Sequence, residues 1–128
     1  MRCLIVDDSA NFVDAARGLL ECQGFTVVGE ASTSAEALRS FEELRPDVTL
    51  VDVNLGGESG FDLAELLHRA GGPTPAPVIL ISTHAAQDFA DMIDTSPAIG
   101  FLSKSALTCS AILDLVRASA GLNERDHR

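Results

Sequence analysis

Val48-Thr49-Leu50-Val51-Asp52-Val53-Asn54-Leu55-Gly56-Gly57 runs from apolar, strand-forming residues straight into a carboxylate and then into a glycine-marked loop. An aspartate so placed sits at the exposed mouth of a buried strand, where backbone turns irregular and ligands usually bind. The rest of the chain gains chemical meaning through what it brings to Asp52.

Upstream, Cys3 to Val6 reads as a buried strand ending at Asp7-Asp8. Phe12, Ala15, Ala16, Leu19 and Leu20 then recur at helical spacing up to Gly24. Phe25 to Val28 is a short second strand. Thr33 with Glu36 fits a capping box, and Ala37, Leu38, Phe41 and Leu44 give that helix its core stripe before Pro46. Downstream, Ser59 caps a helix carrying Phe61, Ala64 and Leu67, and the stretch from Gly71 through Thr74 to Pro77 is loop. Val78 to Ile81 is a fourth strand, Ala85 to Asp94 a short helix, and Ile99 to Leu102 a fifth strand. Cys109, Ile112, Leu113, Val116 and Ala120 mark the last helix.

Strands that are continuous apolar runs, alternating with helices, predict an α/β doubly wound parallel sheet covered on both faces. The flavodoxin-like (βα)5 strand order 2-1-3-4-5 sets the first and third strands side by side at the switch point. The 128 residues suit one domain, expected over 1–121 with a flexible C-terminal tail over 122–128.

Composition narrows the function classes. Nineteen acids against nine bases give a net charge of −10, which disfavours direct nucleic-acid binding. No stretch approaches the roughly 20 apolar residues of a membrane helix, and carboxylates interrupt the N-terminal apolar run too early for a signal peptide. The expectation is a cytoplasmic chain without membrane attachment. Cys3, Cys22 and Cys109 form no CxxC pair and read as small buried apolar side chains.

The unusual polar residues all fall at strand ends. Asp7 and Asp8 follow the first strand, Asp52 the third, Ser82 the fourth and Lys104 the fifth, while the second, ending in Gly29-Glu30, brings nothing obvious. In a parallel sheet those ends share one edge. Three carboxylates meeting there repel unless a cation neutralises them, and hard oxygen donors suit Mg²⁺ or Mn²⁺. A carboxylate can attack phosphorus to give an acyl phosphate. Lys104, the only lysine in the chain, would pair with one phosphoryl oxygen, and the Ser82 hydroxyl would serve another.

This pattern resembles a two-component response-regulator receiver domain over nearly the whole chain. The acidic pair Asp7-Asp8, Asp52, Ser82, Lys104, Phe101 three residues before the lysine, and Gly60 carry the resemblance. It implies that Asp52 is the phosphoacceptor, fed by a histidine kinase, a phosphotransfer protein or a small acyl phosphate. It also implies a metal held by Asp8, Asp52 and the backbone carbonyl of Asn54, with Asp7 assisting through water. Ser82 and Phe101 would be the switch pair, and Asn54 and His84 would tune dephosphorylation. His68 and His127 read as surface.

Two positions depart from the family pattern. Gly56 stands where proline is frequent, which should loosen the loop after Asp52, and Ser105 follows Lys104 in place of the usual proline. Two other classes compete. A metal-dependent phosphohydrolase with an Asp nucleophile would want a second acid two residues on, and here stands Asn54. A receiver-like scaffold working without phosphorylation would not need the complete acidic set. The resemblance therefore implies a switch that catalyses only its own phosphorylation and dephosphorylation and alters a protein-binding face for a downstream partner. The segments Gly29-Glu30-Ala31-Ser32 and Gly100 to Ser105 look like receivers that precede a helix-turn-helix output domain, so a stand-alone relay or a truncated regulator is expected.

Overall fold

Because the five apolar runs have no polar face to show to water, they pair with one another and are roofed on both sides. A computed structural model of the chain describes residues 1–73 and 75–126, with side chains through residue 119 apart from residue 86. Thr74, His127 and the Ala120 side chain lie outside the described residues. The strands are β1 (Arg2–Val6), β2 (Thr26–Ala31), β3 (Val48–Asp52), β4 (Val78–Ser82) and β5 (Gly100–Ser103). They form one parallel sheet in the order β2-β1-β3-β4-β5. The helices are α1 (Ala10–Cys22), α2 (Ser34–Leu44), α3 (Gly60–Ala70), α4 (Ala90–Thr95) and α5 (Cys109–Asp126).

Alternation along each strand splits the interior in two. Cys3, Ile5, Leu50, Ile79 and Ile81 face a cluster completed by α1 and α5, whereas Leu4, Val6, Val51 and Leu80 face one completed by α2 and α3. Every residue of β3 and β4 is buried. Each fully buried Leu or Ile contributes about 2 kcal/mol of transfer free energy, which is why strands one, three and four fix the sheet's centre.

Several expectations need correcting. The buried stripe of α1 is Val13, Ala16 and Leu20, with half-buried Phe12 packed against the same cluster, whereas Ala15 and Leu19 face outward. Cys22, the last residue of α1, is exposed, unlike buried Cys3 and Cys109. Burial pushes the Cys3 thiol up to about 12, so it behaves as an inert core side chain. β2 extends to Ala31, and the Ala85–Asp94 stretch is a 3₁₀ turn, Ala86–Phe89, leading into α4. Helix α5 spans Cys109 to Asp126. Among the described residues no helix is long and apolar enough to cross a membrane.

Candidate functional site

β3 delivers Asp52 to the sheet edge in register with Ile81 of β4, and the Val53 N–H donates to the Ile81 carbonyl at 3.0 Å. β1 delivers Asp7 to the same edge, where its N–H donates to the Ala31 carbonyl of β2 at 2.9 Å. Both carboxylates are tied to the backbone two residues on. Asp7 Oδ1 accepts from the Ser9 N–H at 2.8 Å, and Asp52 Oδ1 accepts from the Asn54 N–H at 3.1 Å.

Lys104 reaches in from the end of β5. Its Nζ lies 2.6 Å from Asp7 Oδ2 and 3.2 Å from Asp52 Oδ2, with side-chain exposures of 14%, 0% and 10% for Lys104, Asp7 and Asp52. Sequence reasoning gave Lys104 to a phosphoryl oxygen. In the structure the ammonium neutralises two carboxylates that burial and mutual repulsion would otherwise penalise. Burial pushes the Asp52 carboxyl above its ordinary value; neighbouring Asp7 adds to this, while the Asn54 N–H and Lys104 pull against it. Lys104 loses some basicity to burial, but the Asp7 hydrogen bond and the charges of Asp52 and Asp7 outweigh that and hold it above the usual lysine value.

Asp8 completes the set from the exposed rim. One oxygen from each of Asp7, Asp8 and Asp52 lies within 4.8 Å of the others. Asp7 Oδ2 is buried and has no hydrogen-bond partner among the described residues besides its ion pair with Lys104. Three hard oxygen donors at that spacing fit a six-coordinate Mg²⁺ that keeps several waters. A cavity of about 400 Å³ opens beside Asp7 and Asp8 toward Asp14, Glu30 and Glu36, so negative charge extends along the β2 side.

Glycines permit the close approaches. A Cβ on Gly60 would lie 2.0 Å from the Asp52 carbonyl oxygen, so only glycine lets α3 begin against the end of β3. Gly56 and Gly57 have φ of +58° and +106°. They form the two-residue turn of a short antiparallel ladder, Asn54–Leu55 against Glu58–Ser59. The loop after Asp52 is thus a hairpin turn whose positive φ at Gly56 proline could not adopt. A Cβ on Gly56 would also lie 2.8 Å from Asp8 Oδ2.

Ser82 is buried, and its Oγ accepts the His84 N–H at 3.0 Å. His84 and Asn54 are both exposed. Phe101 is half-buried and packs its ring on Phe89, which also touches Phe61 and His84, with centroids 5.9 to 6.2 Å apart. The Lys104–Ser105 peptide is trans, as are all peptides among the described residues. His68 is exposed on α3.

Two residues at the site escaped the sequence reading. Glu30 of β2 borders the cavity and pairs with Arg17 Nη1 at 2.8 Å, although its strand seemed to bring nothing. Phe12, read only as helix stripe, sets its ring 4.3 Å from Lys104 Nζ. Phe12 gave no signal, because an aromatic at helical spacing reads as core.

Residues 3–117 match the family described as the response regulator receiver domain. The chain is 36% identical over 118 residues to the nitrate/nitrite response regulator protein NarP of Escherichia coli, covering 91% of this chain and 54% of NarP. It is 32% identical over 108 residues to a protein-glutamate methylesterase/protein-glutamine glutaminase of Methanosarcina acetivorans, covering 82% of this chain and 30% of that enzyme. The NarL signal receiver domain from Mycobacterium tuberculosis superposes with a TM-score of 0.79 at 31% identity, covering 91% of this chain and 95% of that one. The chain thus spans about half, or less, of the length of these curated relatives.

Proposed function

The chain belongs to the response regulator receiver family, a phosphorylation-activated switch of two-component signalling, and on that premise we propose that Asp52 is its phosphoacceptor and residues 1–121 its functional unit. The observation that carries this reading is the convergence of the chain's only lysine on the carboxylates of Asp7 and Asp52, brought from three strands.

In the proposed reaction an Asp52 oxygen attacks phosphorus in line. A new P–O bond forms while the bond to the donor's imidazole nitrogen or carboxylate oxygen breaks, and the donor leaves with that electron pair. The donor is a histidine kinase's phosphohistidine, a phosphotransfer protein or a small acyl phosphate. Lys104 passes from its carboxylate partners to a phosphoryl oxygen, which its three donors and flexible stem permit. Receiver domains generally bind Mg²⁺ in an acidic pocket; here Asp8, Asp52 and the Asn54 carbonyl would hold it, with Asp7 through water, and it would neutralise phosphoryl oxygens.

The switch follows from charge. Ser82, at the end of β4, exchanges the His84 N–H for a phosphoryl oxygen, and Phe101 turns into the space released. Because Phe101 packs on Phe89, the movement reaches the 3₁₀ turn and α4 and alters a binding face for a downstream protein. Asn54, whose N–H meets Asp52, and His84, whose N–H meets Ser82, are both exposed and set the lifetime of the acyl phosphate through water access. The module catalyses only this self-modification and its reversal.

The test is incubation with acetyl phosphate and Mg²⁺, read by intact mass. A single phosphate-sized gain is expected in the wild type and none in Asp52→Asn; a gain that persists in the variant would overturn the assignment.

A further inference from the structure

Phe12 packs against the core cluster completed by α1 and α5 and at the same time reaches the acidic site. It is half-buried in the first turn of α1, and its ring face stands 4.3 Å from Lys104 Nζ, the ammonium that bridges Asp7 and Asp52. The ring's placement is itself built from the site. Asp7 Oδ1 accepts the Ser9 N–H at 2.8 Å, and Ser9 Oγ, as N-cap, accepts the Phe12 N–H at 3.4 Å. The Phe12 ring faces Nζ, and Nζ returns to Asp7 Oδ2 at 2.6 Å. Asp7 thus holds both the lysine and, through the helix cap, the ring that backs it.

We propose that Phe12 is a positioning residue for phosphoryl transfer, holding the Lys104 ammonium by a cation–π contact at the point where it meets the phosphoryl oxygen. A lysine stem with four rotatable carbons and three donors has no direction of its own. The two carboxylates fix it from one side only. The quadrupole of the ring attracts the cation from another side and denies water that approach. When Asp52 is phosphorylated and its charge is redistributed, the ring remains, so Lys104 need only swing from Asp52 to the adjacent phosphoryl oxygen. An aliphatic residue at position 12 would fill the same volume without attracting the ammonium.

This inference rests on Asp52 being the acceptor, and its test separates the two claims. Lys104 is the only lysine, so lysine labelled with ¹³C at Cε gives one side-chain resonance. In the wild type the Hε signal should be displaced by the Phe12 ring current, and Phe12→Leu should return it toward the free-lysine position. The initial rate of Asp52 labelling by acetyl phosphate with Mg²⁺ should fall about fivefold in Phe12→Leu, as expected for loss of a partly desolvated cation–π contact. Phe12→Tyr should restore both the shift and most of the rate. A lysine resonance indifferent to Phe12→Leu overturns the proposal, as does an unchanged labelling rate. So does a slowed rate that Phe12→Tyr fails to rescue, which marks simple packing. Wild-type protein that never labels overturns the acceptor reading, while the lysine shift still reports the stacking.

Discussion

The two halves of the sheet are built to different standards. β1 and β3, which carry Asp7, Asp8 and Asp52, are sealed between helices, and β3 has no exposed residue at all. β5, which carries Phe101 and Lys104, is half-buried along its whole length, and α4 beside it buries no residue. The groups that must keep ångström-level positions stand on the sealed strands. Phe101 and Lys104, which must move, stand on the thin margin, where a rearrangement breaks few packed contacts, while Ser82 exchanges its hydrogen bond from buried β4. The division follows burial, because a close-packed interior resists displacement and a half-exposed edge does not.

Substitutions can break that contrast, beginning with the largest expected effect. Leu50→Ala in β3 should cost about 3 kcal/mol in urea unfolding, whereas Met92→Ala on α4, 49% exposed, should stay within about 0.5 kcal/mol. Equal costs at the two sites would contradict the division. Lys104→Met comes next, because it leaves the fully buried Asp7 carboxylate without its cation; a loss of about 2 kcal/mol near neutral pH is expected, with slower Asp52 labelling.

The same lysine gives a pH signature. Its basicity is raised on folding, so its contribution to stability is complete below 10.5, the unfolded value, and is lost as pH rises through the higher folded value. Unfolding titrations above that pH should show the loss in the wild type, and Lys104→Met should lack it.

Divalent binding should sharpen the picture of the acidic edge. At tenfold its dissociation constant, Mg²⁺ should stabilise the wild type by about 1.4 kcal/mol, seen as a raised melting temperature, and Asp8→Asn should lose most of that rise. Asp52 has the smallest effect on folding. Its carboxyl is raised on folding, so the folded state binds an extra proton between 3.8 and the raised value, and stability falls as pH rises through that window. Asp52→Asn without divalent cations should therefore melt higher at neutral pH, by about 1 kcal/mol, while abolishing phosphate uptake. A lower melting temperature would mean that its contact with Lys104 outweighs the repulsion from Asp7.

Much of this was legible in order along the chain. Continuous apolar runs broken by helical periods give a parallel sheet, and a parallel sheet sends Asp7, Asp52, Ser82 and Lys104 to one edge whatever the loop details. What escaped were features that depend on rotation or on partners distant in sequence. The face of α1 slipped from Ala15 and Leu19 to Val13 because a stripe of mixed small residues does not fix a helix's roll. Glu30 was passed over because its role depends on Arg17, thirteen residues away on another element. The hairpin after Asp52 went unread because Gly56 was weighed against an absent proline instead of together with Gly57.

The sequence by itself determined which residues end the strands, since strand length and polarity are local properties of an apolar run meeting water. Only the folded structure decided what those residues do to one another. That Lys104 bridges Asp7 and Asp52, that Asp52 resists ionisation, and that a phenylalanine backs the ammonium all depend on separations of a few ångströms between different elements. Electrostatic energies vary steeply over that range, and no spacing along the chain encodes them.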